Sequence, residues 1–348
     1  SEGAGPRRGK AGERMPDREL SLAIADYDRV EPLADGSIAP EGVTLKLVHL
    51  APSETFYRML KFGEFDVSEM SLSSYLIARD RGTDLTAIPL FPFRSFFHTS
   101  VYCSRAAAIS APQDLEGKRF GLTEYQVTAA VWTRGVLQHH FGIDLRKVRW
   151  FVERTPDMSH GGITDFTPPE GISIEQIDPG DDLQSLLEES ELDAILPSPY
   201  PGMASRLNRT DEDVLRSSPS VARLFPDPKA EALRYLDAAG APQMNHTIVI
   251  KESVLREAPG LAPALYEAFG EAKALAYRRL ESLRRSSLVF GPLYLQEQKE
   301  IFGDDPYPYG LEANRQTLET LIGYSHEQGL ISTRPSAESL FVPELLST

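Results

Sequence analysis

Residues 65–75 read F-D-V-S-E-M-S-L-S-S-Y, a short apolar run that stops among Ser71, Ser73 and Ser74 and then opens a helix. The first turn of a helix leaves backbone N–H groups without intrahelical partners and carries partial positive charge, so hydroxyls placed there build a seat for an anion. A second junction of the same kind lies at 121–128, where G-L-T-E-Y-Q-V-T runs into A-A-V-W-T-R-G-V-L-Q. Two such seats in two different strand–helix units point to a carboxylate held between two lobes.

Outward from these junctions, strands and helices alternate. Residues 21–26 (S-L-A-I-A-D) and 44–50 (T-L-K-L-V-H-L) read as strands, and 53–62 as a helix with Phe56, Met59 and Leu60 on one face. Residues 66–70 form the third strand and 73–80 its helix; 85–91 and 99–104 follow as strands around the loop P-F-R-S-F-F-H. A second series runs through strand 120–123, helix 129–141 stopped by Gly142, strand 173–177, helix 182–189 and strand 192–196. N-H-T-I-V-I at 245–250 is a further β run, and the chain from 258 onward is helix-rich, with an amphipathic stretch at 264–280. This alternation predicts an α/β protein with a mainly parallel sheet covered on both faces.

The stretch 111–119 reads as a crossing into a second lobe of residues 111–244, and 245–250 as the return to the first, made of 20–110 and 245–348. A lobe interrupted by another and then resumed is the layout of type II periplasmic-binding-protein folds, two-lobed with the ligand cleft between the lobes. Ligands there sit at strand C-terminal ends and helix N-termini. The hinge strands are expected at 99–104 and 245–250, which puts His98 and His246 at their starts and near the cleft.

Composition narrows the partners. The chain has 348 residues, 41% hydrophobic and 25% charged, with a formal net charge of −15. Residues 1–19 carry Arg7, Arg8, Lys10, Arg14 and Arg18 against Glu2, Glu13, Asp17 and Glu19, so the tail is read as polar and disordered and the body as more negative still. Such a body repels nucleic acid and anionic lipid, and an anionic ligand must be captured by local positive groups. Cys103 is the single cysteine, so no intrachain disulfide forms. No apolar run approaches the ~18 residues of a membrane span, and no secretory core is evident, so cytoplasmic residence is the expectation. The oligomeric state is left open, assembly of identical copies included.

Several segments together resemble the 4,5-dihydroxyphthalate decarboxylase family: A-D-Y-D-R (25–29), F-D-V-S-E-M-S-L-S-S-Y-L (65–76), and I-P-L-F-P-F-R (88–94) with His98 after it. E-Y-Q-V-T-A-A-V-W-T-R-G (124–135), H-T-I-V-I (246–250) and P-Y-G-L-E-A-N-R (308–315) extend the likeness over nearly the whole chain from residue 20. The tail and the loop 154–170 depart from it. The resemblance implies a solute-binding-protein fold used for a cofactor-independent decarboxylation, 4,5-dihydroxyphthalate to protocatechuate. Two other readings stand beside it: a non-catalytic solute-binding protein for a small carboxylate, and a decarboxylase of a different ring acid.

That chemistry sets requirements. Direct loss of carbon dioxide from an aryl carboxylate leaves a ring-plane carbanion without delocalisation. Protonating the ring carbon first, with a para hydroxyl to stabilise the intermediate, gives a lower route. The site then needs an anion clamp, a proton donor near neutrality and an acceptor for the phenol proton. No electron-sink cofactor is required; assistance by a divalent ion is left open. Arg94 is the clamp candidate, its guanidinium matching a carboxylate in a two-bond fork, with a surface ion pair as the plain alternative. Ser71, Ser73 and Ser74 add donors or simply cap the helix. His98 and His246 are the candidate acids, against structural histidines at strand starts. Glu69 accepts a phenol proton, holds a protonated histidine, or is a solvated strand-end acid. Tyr125, Gln126, Thr128 and Ser198 are expected contacts from the second lobe, with Arg134 pointing elsewhere. His160-Gly161-Gly162 reads as a surface loop, or as a lid. The seven histidines are scattered, and no metal-ligand spacing occurs.

Overall fold

The computed structural model describes residues 18–164, 166–198, 207–210, 212–282 and 286–348. Residues 1–17 of the expected tail lie outside these, whereas Arg18 and Glu19 belong to the first strand. In chain order the strands are β1 (Arg18–Ala23), β2 (Val43–Val48), β3 (Val67–Ser71), β4 (Leu85–Ile88), β5 (Arg94–Ser95), β6 (Tyr102–Ser104) and β7 (Arg119–Leu122). Then follow β8 (Arg149–Val152), β9 (Ile174–Gln176), β10 (Ala194–Leu196), β11 (Val221–Arg223), β12 (Gln243–Met244) and β13 (His246–Lys251).

They form a five-stranded sheet ordered β2-β1-β3-β13-β4 and a six-stranded sheet ordered β11-β6-β10-β7-β8-β9. In the first, β1 runs parallel to β2 and β3, and β13 runs antiparallel to β3 and β4. In the second, β10, β7, β8 and β9 are parallel, and β6 is antiparallel to β10 and β11. The central strands β3 and β10 are buried along their whole length, whereas the edge strands β2 and β9 leave alternate or most residues to solvent. On the first sheet the Leu261–Glu281 helix buries Leu261, Leu265 and Phe269 against Leu20, Leu22 and Ile248.

The chain passes between the sheets through a two-stranded ribbon, β5 against β12, with Arg94 opposite Met244 and Ser95 opposite Gln243. This corrects two expectations. The crossing occurs at 94–95, well before 111, and the expected hinge strands belong wholly to one sheet each: β6 to the second and β13 to the first. Residues 97–100, including His98, form a 3-10 turn rather than a strand start.

Two glycines let elements approach closely. A Cβ on Gly121 in β7 would meet Leu183 and Leu192 at 2.7 Å, and one on Gly135 would lie 2.0 Å from the Tyr324 ring. The latter contact seats the Thr128–Phe141 helix on the Arg315–Glu327 helix and so ties the C-terminal segment to the second sheet. Gly142 ends the Thr128–Phe141 helix in the left-handed conformation, φ 73°.

Candidate functional site

Between the sheets lies a chamber walled by residues of both, the kind of interlobe cleft in which small ligands bind. Its walls come from the C-terminal ends of β3 (Ser71), β7 (Leu122, Thr123) and β10 (Leu196, Ser198), the start of β13 (His246) and the residue after β8 and Glu153, Arg154. Strand ends open here because the loops that follow parallel strands gather on one edge of the sheet.

The opening serine seat takes an occupant from the protein itself. Thr128 Oγ1, from the first turn of the helix that follows β7, accepts the backbone N–H of Ser73 (3.0 Å) and lies 2.8 Å from Ser71 Oγ. Ser71 also caps the Leu72–Asp80 helix, accepting from Ser74 N, while Ser73 Oγ donates to the carbonyl of Gln126 (2.5 Å). The two predicted junctions therefore clasp each other across the cleft. Ser71 and Thr128 reach the chamber wall; the Ser73 and Ser74 hydroxyls do not. The Thr128–Phe141 helix, in contrast, has no side-chain cap, and Thr128, Ala129 and Ala130 present its N-terminus to the chamber.

His246 stands in the chamber wall with Glu69 behind it, 0% exposed in β3. Antiparallel pairing of β13 on β3 sets His246 beside Ser71 and two residues from the partner of Glu69. The His246 Nδ1–H donates to Glu69 Oε1 (2.5 Å), and Asn245 Nδ2 lies 2.9 Å from His246 Nε2. Glu69 also accepts the Ala25 N–H on Oε2 (3.0 Å) and the Tyr27 O–H on Oε1 (2.6 Å). Phe93 stacks on the imidazole at 5.6 Å and Phe56 meets it edge-on at 4.8 Å, which fixes the ring plane. An Asn amide carries donor and acceptor, so Asn245 can serve either protonation state of Nε2.

Opposite functional needs meet at Arg154. Its Nη1 donates to Glu124 Oε2 (2.7 Å) and to His160 Nδ1 (3.2 Å), its Nη2 to Asn208 Oδ1 (2.8 Å) and Ser53 Oγ (3.1 Å), and its Nε to the Leu207 carbonyl (2.9 Å). Glu124 takes further bonds from Ser159 Oγ and the His160 N–H. Burial, and then the Arg154 charge, pull the His160 imidazole down to about 3, so it is neutral; its Nε2–H donates to the Ser53 carbonyl (3.2 Å). His160 is thus not a surface-loop residue: in the short His160–Ile163 helix it is buried and lines the chamber, while Gly162 beside it is exposed.

Of the other predicted residues, Ser198 lines the chamber, and His98, Arg94, Tyr125 and Gln126 fall outside its walls. His98 Nε2–H donates to Glu231 (3.0 Å) and its Nδ1 accepts from Gln243 Nε2 (2.9 Å), with Tyr235 and Phe225 packed on the ring. Burial raises Glu231, but hydrogen bonds from Arg234 and His98 outweigh it and bring it to about 2, so this is a closed structural network. Arg94 reaches the Pro308 carbonyl (3.3 Å) and Asn314 Oδ1, and burial lowers its guanidinium to about 10; it anchors the 308–314 segment to the crossing ribbon. Tyr125 stacks on Phe166 and lies under the Arg134 guanidinium (3.7 Å), facing away from the cleft, and Gln126 contributes its carbonyl to Ser73. Ser198 lines the chamber and accepts from Asn208 Nδ2 (3.2 Å). Sequence reasoning missed Arg154, Asn208, Ser53 and Asn245, and named His160 only as part of a surface loop or lid. Among the described residues no group of three or more His, Cys, Asp or Glu is placed to hold a metal ion, and no helix is long and apolar enough to cross a membrane.

Comparison with known proteins agrees with this architecture. A family model described as NMT1/THI5 like matches residues 38–165. A 4,5-dihydroxyphthalate decarboxylase of Comamonas testosteroni is 31% identical over 337 residues, covering 96% of this chain and 99% of the relative. One of Pseudomonas putida is 32% identical over 214 residues, covering 61% of this chain and 79% of the relative. The periplasmic aliphatic sulphonate binding protein SsuA of Escherichia coli superposes with a TM-score of 0.54 at 13% identity, covering 96% of this chain and all of that one. The desulfurization enzyme DSZB superposes with a TM-score of 0.51 at 12% identity, covering 94% of this chain and 97% of that one. Both share the fold, the two-lobed α/β architecture of periplasmic solute-binding proteins.

Proposed function

The chain belongs to the 4,5-dihydroxyphthalate decarboxylase family, and we propose that its chamber takes 4,5-dihydroxyphthalate and releases carbon dioxide and protocatechuate with His246 as the proton donor. It is a carboxy-lyase. The observation that carries the assignment of roles is the Glu69–His246 pair, a buried carboxylate 2.5 Å from an imidazole whose ring lines the chamber. A carboxylate behind Nδ1 fixes the tautomer and stabilises imidazolium, leaving Nε2–H to act on whatever occupies the chamber.

In the proposed step, His246 Nε2–H protonates the ring carbon that bears the leaving carboxylate, while the para hydroxyl supports the cationic or quinoid intermediate. The C–C bond then breaks, its electron pair restores aromaticity, and carbon dioxide leaves; His246 regains its proton from solvent or the phenol. Arg154 holds the carboxylates with help from the uncapped Thr128–Phe141 helix, Thr128, Ser71 and Ser198. An arriving carboxylate would replace Ser53 Oγ or Asn208 Oδ1, neutral acceptors, on the Arg154 Nη2. This route calls on no electron-sink cofactor. A cytoplasmic location belongs to the same proposal; the lone thiol of Cys103, buried and free, calls for no oxidising compartment.

The test is turnover by the purified chain and by His246→Gln. We expect protocatechuate and carbon dioxide from the first, and substrate binding without product from the second. Binding without product in the unsubstituted chain would favour a solute-binding role, and wild-type turnover in His246→Gln would move the proton donor elsewhere.

A further inference from the structure

The A-D-Y-D-R motif at 25–29 follows β1 and has no part in lining the chamber, yet two of its groups close on Glu69. The Ala25 N–H occupies Oε2 (3.0 Å), and the Tyr27 O–H occupies Oε1 (2.6 Å), the same oxygen that takes the His246 Nδ1–H. Tyr27 O lies 3.5 Å from His246 Nδ1 itself. The phenol ring is held in turn by Phe93, stacked 6.2 Å away and also packed on His246, and by the Arg29 guanidinium 5.5 Å from its centroid. Arg29 is fixed by donating to the Pro92 carbonyl (2.8 Å).

From this arrangement we propose that Tyr27 is a positioning residue that keeps the shared proton on His246 by holding Glu69 as a carboxylate. The inference rests on the reading of His246 as proton donor. The reason is the fate of the Nδ1 proton. A carboxylate in a dry site is held ionised by the donors around it. With one donor removed, Glu69 becomes the better base and draws the Nδ1 proton across the short hydrogen bond. What remains is a neutral imidazole with hydrogen on Nε2 and a protonated Glu69. No net proton is lost, but a neutral imidazole's N–H is far too weak an acid to protonate an arene carbon. Tyr27 therefore acts on the chemical step without touching substrate.

The experiment is Tyr27→Phe, alone and combined with Glu69→Gln, in the full chain, with 4,5-dihydroxyphthalate as substrate. Tyr27→Phe should lower kcat roughly ten- to hundredfold, part of the ~10²–10⁴ a positioned acid contributes, with KM within about twofold. In the Glu69→Gln background the same substitution should change kcat by less than about threefold, since the carboxylate it acts through is gone. An unchanged kcat in Tyr27→Phe overturns the inference, and so does an equal loss in both backgrounds, which would place Tyr27's effect outside Glu69. His246→Gln separates the two levels. If it keeps wild-type kcat, the proton-donor reading fails; if it is inactive while Tyr27→Phe is normal, only the role of Tyr27 fails.

Discussion

Replacing Arg154 with Met separates substrate capture from structural support, because in the proposed mechanism the guanidinium serves both. Charge-assisted hydrogen bonds contribute about 1.5–3 kcal/mol, so losing the clamp should raise KM by roughly 10- to 150-fold, kcat falling less. The same substitution strands Glu124, a 4% exposed carboxylate that keeps Ser159 Oγ and the His160 N–H as donors but loses its cation. Breaking a buried pair from one side costs about 3–5 kcal/mol. Part of that is offset: without Arg154 beside it His160 takes up a proton more readily, and a protonated His160 would pair with Glu124. The double variant Arg154→Met with Glu124→Gln removes the stranded charge. We expect it to recover most of the stability measured by urea unfolding and none of the KM measured by protocatechuate formation. A folded Arg154→Met with KM within twofold of the parent, or a double variant that regains KM, would refute the clamp.

Two further outcomes follow from charge. His160 is depressed to about 3 against an ordinary 6.5, so the unfolded chain binds this proton first and folding stability falls as pH drops from about 6.5 toward 3. His160→Gln should flatten that decline, by on the order of a few kcal/mol, in urea titrations at pH 7, 5 and 4; parallel declines in both proteins would show that other groups set it. In the proposed mechanism the entering carboxylates favour imidazolium at His246, so substrate binding should be accompanied by net proton uptake, which His246→Gln should abolish. Calorimetry in two buffers of different ionisation enthalpy reads this, and equal heats in the unsubstituted chain would contradict it.

The legible parts of the sequence were those where chemistry is local. The β3 run ending on Ser71 and the β7 run ending before Thr128 carry their own strand and capping signals, so both junctions appear at the predicted positions. What local signals omitted was the partner: the hydroxyls engage each other across the cleft, which only the closed tertiary arrangement decides. Arg154 was missed because β8, R-W-F-V, was not read as a strand, and its C-terminal end was therefore not read as a cleft edge. Arg94 misled for a different reason. It does sit at the crossing, but successive residues of an extended chain point to opposite sides. Phe93 consequently packs on His246 while Arg94 turns to Asn314. Position along the chain was right and direction was not.

In the proposed mechanism, charge inside the chamber couples the proton donor His246 to the anion clamp Arg154. Arg154 and Glu124 cancel, and His160 is neutral, which leaves Glu69 balanced only when His246 is protonated. A dicarboxylate entering this space adds negative charge that water and salt screen poorly, so each carboxylate favours imidazolium over imidazole. Substrate entry thereby loads the acid that the ring carbon needs. Proton transfer then moves one positive charge from His246 to the substrate and leaves the total unchanged. Loss of carbon dioxide is also neutral overall: a dianion beside imidazolium becomes a monoanion beside imidazole. The product keeps one carboxylate and meets an uncharged His246, so its hold on the chamber is weaker at both ends. With the protein's formal charge at −15, the surrounding field also favours expelling an anion once that local attraction is spent.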